Sequence, residues 1–398
     1  MRMIGTVSRG VRCPVIRAGD DLVTIVADSV IAAAGGEGVP LRDSDIVGVT
    51  EAVLARAQGN YASVGDIAED VAAKFGCDTL GVIFPILSRN RFSVCLKGIA
   101  TGVKKIVLML SYPADEVGNP IFPLESFEES GLNPWTDTLD EKSYREKFGS
   151  VCHPFTGVDY VSYYKELIEA CGCQAEIIFS NNAKTILQYA GDVLACDIHT
   201  RERTARVLRE AGARRVLTLS DILNAPVKGS GCNEEYGLLG SNKATEDSVK
   251  LFPRNCKSFV ERLHDLLLEK TGKHIEVLVY GDGAFKDPRG KIWELADPVV
   301  SLANTPGLSG TGNEIKLKYL ADNQFRHLKG AELETALKTY IGNKKDGKDS
   351  LLDAMESQGT TPRQLTDLIG SLCDLTSGSG DKGTPVVWIS GYFDNYAT

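Results

Sequence analysis

The sequence predicts an α+β protein whose amino- and carboxyl-terminal parts enclose an inserted α/β domain with a mostly parallel sheet. Between about residues 83 and 229, apolar stretches alternate with amphipathic ones, which is typical of alternating strands and helices. The terminal parts lack that alternation, and a glycine-rich break at residues 229–231 follows the middle segment. We therefore expect three parts, at residues 1–82, 83–229 and 230–398.

In the first part we expect one helix and one buried strand. The helix begins after Gly19-Asp20-Asp21, where apolar residues recur every three or four positions, and is expected to end at Gly35-Gly36. Residues 45–49 are a short apolar run typical of a buried strand, and Thr50 follows as the cap of a helical turn. This turn carries Arg56.

In the middle domain the apolar stretches predict four strands with helices between them. Strands are expected at residues 105–110, 175–179, 192–196 and 215–219, and helices at 88–101, 158–171, 183–190 and 200–211. A strand–helix–strand order places parallel strands in one sheet with helices on both faces.

The last part is expected to mix helices and strands less regularly. Helices are expected at residues 258–271, 331–341, 350–358 and within 361–375, and strands at 276–280, 314–320 and 386–390.

Composition and charge exclude several classes of protein. The 398 residues are 43% hydrophobic and 24% charged, an ordinary globular balance, and the net charge of −9 would repel nucleic acid or an anionic membrane surface. The ten cysteines include no CxxC pair, which favours reduced thiols over a zinc site. We see no signal peptide and no apolar stretch of the ~20 residues that a membrane span needs, so we expect a cytoplasmic protein.

Polar side chains follow the predicted strands of the middle domain. Asn181 follows one strand, and Asp197, His199 and Arg201 follow the next. The carboxyl ends of parallel strands meet at one edge of a sheet, where ligands usually bind, and helix amino termini there favour anions. These residues predict a site for a small anion, with plain helix capping as the alternative.

Two arginines stand near the start of the first helix of the middle domain. Arg89 and Arg91 could hold a phosphate or carboxylate through paired hydrogen bonds, which extends the predicted ligand site. The alternative is that both side chains are solvated.

An apolar strand in the last part delivers Asp282 between Gly281 and Gly283. The glycines allow another group to approach the backbone, and the carboxylate suits a hard cation. Lys286, in the loop that follows, is within reach of a phosphate. The alternative is a tight turn that uses Asp and Gly for their backbone preferences.

A second glycine-rich run, at residues 377–385, precedes the last strand. Gly380 and Gly383 could leave backbone amides open to an anion, with Asp381 on a cation and Lys382 on a phosphate. The alternative is a flexible loop without a ligand.

Four segments, in the same order, resemble the coenzyme F420-0:L-glutamate ligases, the γ-glutamyl ligases that extend the side chain of a deazaflavin cofactor. They are Gly19-Asp20-Asp21-Leu22 with the strand and turn at 45–59, the run at 237–242 with Leu251-Phe252-Pro253, Thr271-Gly272-Lys273 with the strand ending at Asp282, and the loop and strand at 378–387. The resemblance covers roughly residues 10–80 and 230–396 and leaves the middle domain outside.

The resemblance implies an α+β scaffold built from the two terminal parts, a homodimer, and amide formation through an acyl phosphate. The acceptor carboxylate, on F420-0 or a related anionic compound, would attack the γ-phosphate of GTP, and the amine of L-glutamate would then displace phosphate. Mn²⁺ or Mg²⁺ would be the cofactor, with GTP as co-substrate. The resemblance assigns Asp282 and Asp381 to the metal, and Arg56, Lys286, Lys382, Gly380 and Gly383 to phosphates.

The sequence departs from the family at several positions. Arg56 stands where the family has Lys, which keeps the charge but changes the donor geometry. Ser241 and Asn242 occupy a stretch where the family places an acidic ligand, and Ser379 lies near another. Fewer carboxylates predict a weaker site for divalent cations.

Three functions stay open on the sequence. The first is a GTP-dependent γ-glutamyl ligase acting on F420-0 or a related acceptor, or on a folate. The second is a small-molecule-binding or regulatory protein that keeps the ligase scaffold without turnover. The third is an enzyme whose site lies in the middle-domain crevice at His199.

Overall fold

The computed structural model describes residues 3–153, 156–284, 295–312, 314–345, 355–357, 363–378 and 380–397. The strands within these residues form one five-stranded, one six-stranded and one three-stranded sheet. The predicted α+β fold with a mostly parallel sheet in its middle part is confirmed.

The strands are β1 Val7–Val11, β2 Ile46–Thr50, β3 Tyr61–Ser63, β4 Thr79–Ile83, β5 Lys105–Leu110, β6 Leu139–Asp140, β7 Gln174–Phe179, β8 Asp192–Ala195, β9 Arg215–Thr218, β10 Asn242–Thr245, β11 Ser248–Lys250, β12 Glu276–Tyr280, β13 Ser301–Asn304 and β14 Val386–Ser390. The α-helices are α1 Leu22–Glu37, α2 Glu51–Ala57, α3 Val64–Phe75, α4 Phe92–Thr101, α5 Leu124–Glu129, α6 Glu141–Phe148, α7 Tyr160–Ala170, α8 Arg201–Glu210, α9 Cys256–Thr271, α10 Leu317–Asp322, α11 Gly330–Lys345 and α12 Leu365–Thr376. Short 3₁₀ helices span Ala183–Gln188, Leu219–Asp221, Pro306–Leu308 and Met355–Ser357.

The five-stranded sheet combines strands from both ends of the chain. Its order is β1-β14-β2-β12-β13, with β2 parallel to β12 and the other neighbours antiparallel. Thr50 lies beside Tyr280, and Val49 lies beside Val386. The end of β2, the end of β12 and the start of β14 therefore share one edge of the sheet.

Helices cover both faces of this sheet. On one face α1 and α9 bury an apolar layer that includes Val26, Leu263 and Trp388. On the other face α12 packs closely, because a Cβ on Gly48 would lie only 2.4 Å from Cys373 Sγ. The sheet is thus fixed on both faces, which leaves its edge as the place where polar groups can gather.

The six-stranded sheet is a doubly wound unit. Its order is β6-β7-β5-β4-β8-β9, and all its strands except β6 run parallel. Taken in chain order, the parallel strands lie as 3-2-1-4-5, so the order reverses between β4 and β8. Ligands usually bind at such a reversal, outside the carboxyl ends of the strands.

The core of the six-stranded unit extends beyond the predicted limits of the middle domain. β4 lies at the centre of the sheet although most of it precedes residue 83, and helix α3 packs against α4. On the other side, Val249 and Leu251 belong to the same apolar core. The small sheet β10-β11-β3 joins this core to the rest of the chain.

Several predicted elements are confirmed, and the strands at Lys105–Leu110, Glu276–Tyr280 and Val386–Ser390 have the predicted bounds. Two predictions are wrong. Helix α1 passes through Gly35-Gly36 and ends at Glu37, followed by Gly38, whose φ of 64° forms the left-handed cap. Part of the segment predicted as a strand at 314–320 is helical, as α10. Strands such as β1, β4 and β13 were not predicted from the sequence, and most of the helix predicted at 350–358 lies outside the described residues.

Across the described residues, no helix combines the length and apolar character that crossing a membrane requires.

Candidate functional site at the shared strand edge

The predicted Asp282 and the 377–385 loop lie at the same edge of the five-stranded sheet. β12 ends at Tyr280 just before Asp282, and Pro385 at the start of β14 accepts a hydrogen bond from the Thr50 N–H at 3.1 Å. Neighbouring strands lie ~4.8 Å apart, so β12 and β14, with β2 between them, are about 10 Å apart. Two segments about a hundred residues apart in sequence thus meet at one edge.

Asp282 is held by Arg91 and Asp297. Nη2 of Arg91 lies 2.5 Å from Oδ2 of Asp282, and Nη1 lies 2.5 Å from Oδ1 of Asp297. The Asp282 N–H also donates to Oδ2 of Asp297 at 2.7 Å. The Asp282 side chain is 33% exposed and that of Asp297 only 1%, so Asp282 is the more accessible of the two carboxylates.

Two further carboxylates border this pair. Asp374 on α12 accepts a hydrogen bond from the Gly283 N–H at 2.9 Å, and Glu51 at the start of α2 is paired with Lys250 at 2.6 Å. The charges of Asp297 and Arg91 act on both Asp374 and Glu51. Carboxylates outnumber cations in this cluster.

Burial and mutual repulsion raise the pKa values of the cluster. Burial raises the pKa of the Asp282 carboxyl to about 7, and the negative charge of Asp297 acts in the same direction, while Arg91 opposes it. Burial also raises the pKa of Asp374 and of Glu51. A carboxyl with a pKa near neutrality can accept and release a proton at physiological pH.

These carboxylates, as they are arranged, do not fit a resident divalent metal ion. One oxygen of Asp282 and one of Asp297 are bound to the Arg91 guanidinium, and the other Asp297 oxygen accepts a backbone N–H. In the parts of the chain that the structure describes, no group of three or more His, Cys, Asp or Glu side chains is placed to hold a metal. Asp381, the second predicted ligand, is exposed in a turn.

Those predicted phosphate-binding residues that the structure describes lie at or near this edge, and most of them make structural contacts. The Arg56 Nε donates to the Ile16 carbonyl at 2.5 Å, and the Gly383 carbonyl accepts from the Cys13 N–H at 3.2 Å. Lys382 is exposed, and its stem lies over Gly378, where a Cβ would come within 2.5 Å of Lys382 Cδ. Gly380 is exposed in the same loop, and Lys286 lies outside the described residues.

In the middle-domain crevice, Asn181 and Asp197 stabilise the strand ends. Asn181 bonds both the N–H and the carbonyl of Tyr112, at 3.0 and 2.6 Å. Oδ2 of the buried Asp197 accepts from the hydroxyls of Thr200 and Thr204, while its Oδ1 has no hydrogen-bond partner among the described residues.

The protein's own Glu116 fills the anion position predicted beside His199. Its carboxylate accepts the backbone N–H groups of Ile198, His199 and Thr200 at 2.6, 2.9 and 2.8 Å. Arg201 donates to the Ile198 carbonyl. The amides that would have received a small anion at the start of α8 therefore already bind a carboxylate.

The crevice and the Asp282 cluster are joined. Arg91 immediately precedes α4 at the crevice and reaches Asp282, and the His199 Nε2 lies 3.0 Å from the Leu295 carbonyl, two residues before Asp297. Arg89, by contrast, is exposed, and its carbonyl accepts from the Ser93 hydroxyl. Of the two predicted arginines, the structure therefore brings only Arg91 to the cluster.

A small cavity lies between these two regions. Arg91, Ser241 and Ala296 are among its lining residues. Its volume of about 30 Å³ is close to the volume that one molecule occupies in liquid water. Ser241 Oγ lies 3.3 Å from Cys95 Sγ. The motif at 237–242 thus packs beside Arg91, in a space too small for a nucleotide.

Four charged residues of the cluster were not predicted from the sequence: Glu51, Lys250, Asp297 and Asp374. Two of them have a local sequence context that could have indicated a site. Glu51 directly follows a strand, as Asp282 nearly does, and Lys250 ends a short run that leads to the buried residues Leu251 and Phe252. Nothing local marks Asp297 or Asp374.

The fold is that of an α+β protein. Its charged cluster lies where Arg91 of the doubly wound unit meets Asp282 and Asp297 beside the five-stranded sheet. A family model, F420-0:Gamma-glutamyl ligase, matches residues 10–391. The chain belongs to this family of γ-glutamyl ligases. The match also runs across the middle domain, whereas the resemblance seen in the sequence covers only the two terminal parts. No curated protein matches the chain.

Proposed function

We propose that this protein is a γ-glutamyl ligase that joins the amine of L-glutamate to a carboxylate of F420-0 or a related anionic acceptor, with GTP as co-substrate. The observation that carries the proposal is that three of the segments that resemble the family, at 45–59, 271–282 and 378–387, meet at one sheet edge, where Asp282 is partly exposed. The family match supports ligase chemistry in general.

The reaction has two balanced steps. The acceptor carboxylate attacks the γ-phosphate of GTP, which forms an acyl phosphate and releases GDP. The amine of glutamate then attacks the acyl carbon, phosphate leaves, and the nitrogen loses a proton as the amide forms. Asp282, partly exposed and with a pKa of about 7, accepts that proton.

Basic side chains at the edge attract the anionic substrates. Arg56 and Lys382 are both exposed, on the segments that follow the end of β2 and precede the start of β14. Exposed cations near a cleft raise the local concentration of phosphates. We assign them to the triphosphate, and no step is assigned to a metal held by the described carboxylates. Mn²⁺ or Mg²⁺ as cofactor, a homodimer and a cytoplasmic location stay predictions.

The test is product formation. The purified chain is incubated with L-glutamate, GTP or ATP, Mn²⁺ or Mg²⁺, and either F420-0 or a folate, and the products are analysed by mass spectrometry. We expect F420-0 to gain a glutamyl residue in the presence of GTP. The reaction with a folate tests the alternative acceptor. Absence of a glutamylated product in every arm would reject the proposal.

Asp282→Asn is the informative variant. It removes the proposed proton acceptor, so kcat is expected to fall by about 10²- to 10⁴-fold. Asp78→Asn is the matched control, because Asp78 is 78% exposed in an ion pair with Lys104 on the surface. Equal activity of the two variants would remove Asp282 from the mechanism.

A second candidate is a binding protein that keeps the scaffold without turnover. The occupation of Asp282 and Asp297 by Arg91 favours it, because these carboxylates are already neutralised within the protein. It predicts that F420-0 or GTP raises the melting temperature while no product forms.

A further inference from the structure

The charged side chain of Arg91 connects the doubly wound unit to the residues that follow β12 of the five-stranded sheet. It belongs to the loop between β4 and α4 of the doubly wound unit, yet its guanidinium lies between two carboxylates beyond β12 of the five-stranded sheet. Its side chain is 16% exposed, and Asp297 is almost fully buried. The Arg91–Asp297 contact is therefore largely shielded from water, whereas the Arg91–Asp282 contact lies at the partly exposed side of the cluster.

The negative charge of the neighbouring carboxylates calls for a cation beside them. Asp282 and Asp297 are drawn together by a single guanidinium and by the Asp282 N–H, with Asp374 and Glu51 nearby. Carboxylate oxygens are the ligands that divalent ions prefer, and without a cation these neighbouring carboxylates would repel one another. Arg91 supplies that cation from the chain itself, and arginine keeps its charge at any physiological pH.

The loop that carries Arg91 is anchored, which fixes the position in the backbone from which its side chain reaches the cluster. The Arg91 N–H donates to the Ser88 hydroxyl at 3.1 Å, and the Leu87 N–H donates to Asp115 at 2.7 Å. Phe92, the first residue of α4, is 3% exposed. The anchored loop therefore fixes the backbone of Arg91, and the two ion pairs hold its guanidinium between the carboxylates.

We propose that Arg91 is a tethered cation that takes the position of a divalent metal ion between Asp282 and Asp297, so that this cluster binds no Mn²⁺ until Arg91 is removed. The proposal goes beyond the ligase function, because it concerns metal binding by the chain without any substrate. A ligase reaction that uses metal delivered with the nucleotide is compatible with it.

The experiment titrates Mn²⁺ alone into the full chain and measures free Mn²⁺ by electron paramagnetic resonance. The native chain and its Asp282→Asn variant are expected to give the same titration. Arg91→Ala is expected to bind Mn²⁺ at least about tenfold more tightly than the native chain, because removing a positive charge from among carboxylates favours a second cation there. The double variant Arg91→Ala/Asp282→Asn is expected to lose that gain.

Two control variants separate charge from packing. Arg145→Ala breaks a comparable ion pair, in which Arg145 binds a single carboxylate, Asp159, at 2.6 and 3.1 Å, so it should leave Mn²⁺ binding unchanged. Arg91→Lys keeps a cation and should bind Mn²⁺ as weakly as the native chain. Circular dichroism checks that each variant is folded, and if Arg91→Ala is not, Arg91→Gln keeps most of the stem and takes its place.

Two outcomes would overturn the proposal. One is Mn²⁺ binding by the native chain that Asp282→Asn abolishes, since the cluster would then accept the metal with Arg91 present. The other is a folded Arg91→Ala or Arg91→Gln protein that binds Mn²⁺ no better than the native chain. Neither outcome depends on product formation, so this test and the ligase assay fail or succeed separately.

Discussion

The Nζ of Lys250 lies 2.6 Å from both carboxylate oxygens of Glu51, and both side chains are nearly buried. Glu51 begins α2, and Lys250 ends β11, so the ion pair joins the five-stranded sheet edge to the small sheet. Lys250→Met should lower the free energy of unfolding by about 3 to 5 kcal/mol, because it leaves the Glu51 carboxylate buried without its partner. Urea denaturation measures the change.

The double variant Glu51→Leu/Lys250→Met should recover most of that loss, since it removes the buried charge as well as its partner. Lys257→Met is the exposed control. Its pair with Glu261 is 59% and 55% exposed, so it should cost less than about 1 kcal/mol. A Lys250→Met variant as stable as Lys257→Met would contradict the stabilising role of the buried pair.

The Glu116 carboxylate should protect the start of α8. Because it accepts three backbone N–H groups, Glu116→Ala should lower the unfolding free energy by about 2 kcal/mol and speed hydrogen exchange at residues 198–200. Glu116→Gln keeps an acceptor oxygen and should lose about half as much. Glu202→Ala, a change at an exposed residue in the first turn of the same helix, should leave the exchange of those three amides unchanged. Unaltered exchange in Glu116→Ala would show that water replaces the carboxylate without cost.

The sequence predicted the elements whose burial is continuous and missed those that tertiary contacts decide. β12 and β14 each contain four consecutive buried apolar residues, and both were predicted with their observed bounds. β1 carries Arg9, which a purely apolar pattern does not anticipate; in the fold its guanidinium lies over the Trp388 ring. The period of two at residues 314–320 suggested a strand, yet Leu317 and Leu320 are also spaced for one helical turn.

The candidate site was predictable only where its residues have a local signal. Asp282 stands out because a strand ends just before it and glycines flank it. Its contact with Arg91 joins residues 191 positions apart, and the Arg91 contact with Asp297 spans 206 positions. Which arginine reaches which carboxylate depends on how the two sheets pack together, and no spacing within the sequence encodes that.

Asp115 should make stability depend on pH. Its buried carboxylate accepts four hydrogen bonds, from Leu87, Val117 and Asn119, but burial still raises the pKa of Asp115 from 3.8 to about 6. The folded protein holds this proton more tightly than the unfolded chain does. Asp115 therefore adds stability below its unfolded pKa, and that contribution is lost as the pH rises through about 6.

Asp115→Asn removes this titration. The unfolding free energy of the native chain minus that of Asp115→Asn should be larger at pH 4 than at pH 7 by on the order of 2 kcal/mol. Urea denaturation at several pH values between these limits measures the difference, and other titrating groups cancel because both proteins contain them. A difference that stays constant over this range would contradict the raised pKa.

Two helical glycines should respond in opposite directions to the same substitution. In α4, a Cβ on Gly98 would lie 2.6 Å from Ile67 of the adjoining helix α3, whereas in α1 a Cβ on Gly35 would meet no atom within 4 Å. Alanine is favoured over glycine within a helix by about 1 kcal/mol, but forcing a methyl group into a packed contact costs about 1 to 3 kcal/mol. Gly35→Ala should therefore raise the unfolding free energy by about 0.5 to 1 kcal/mol, while Gly98→Ala should lower it by up to about 2 kcal/mol. Thermal and urea denaturation of the two variants distinguish the effects. Stabilisation by Gly98→Ala would mean that α3 and α4 can move apart at little cost in free energy. The close contact between these helices would then not limit the packing of the doubly wound unit.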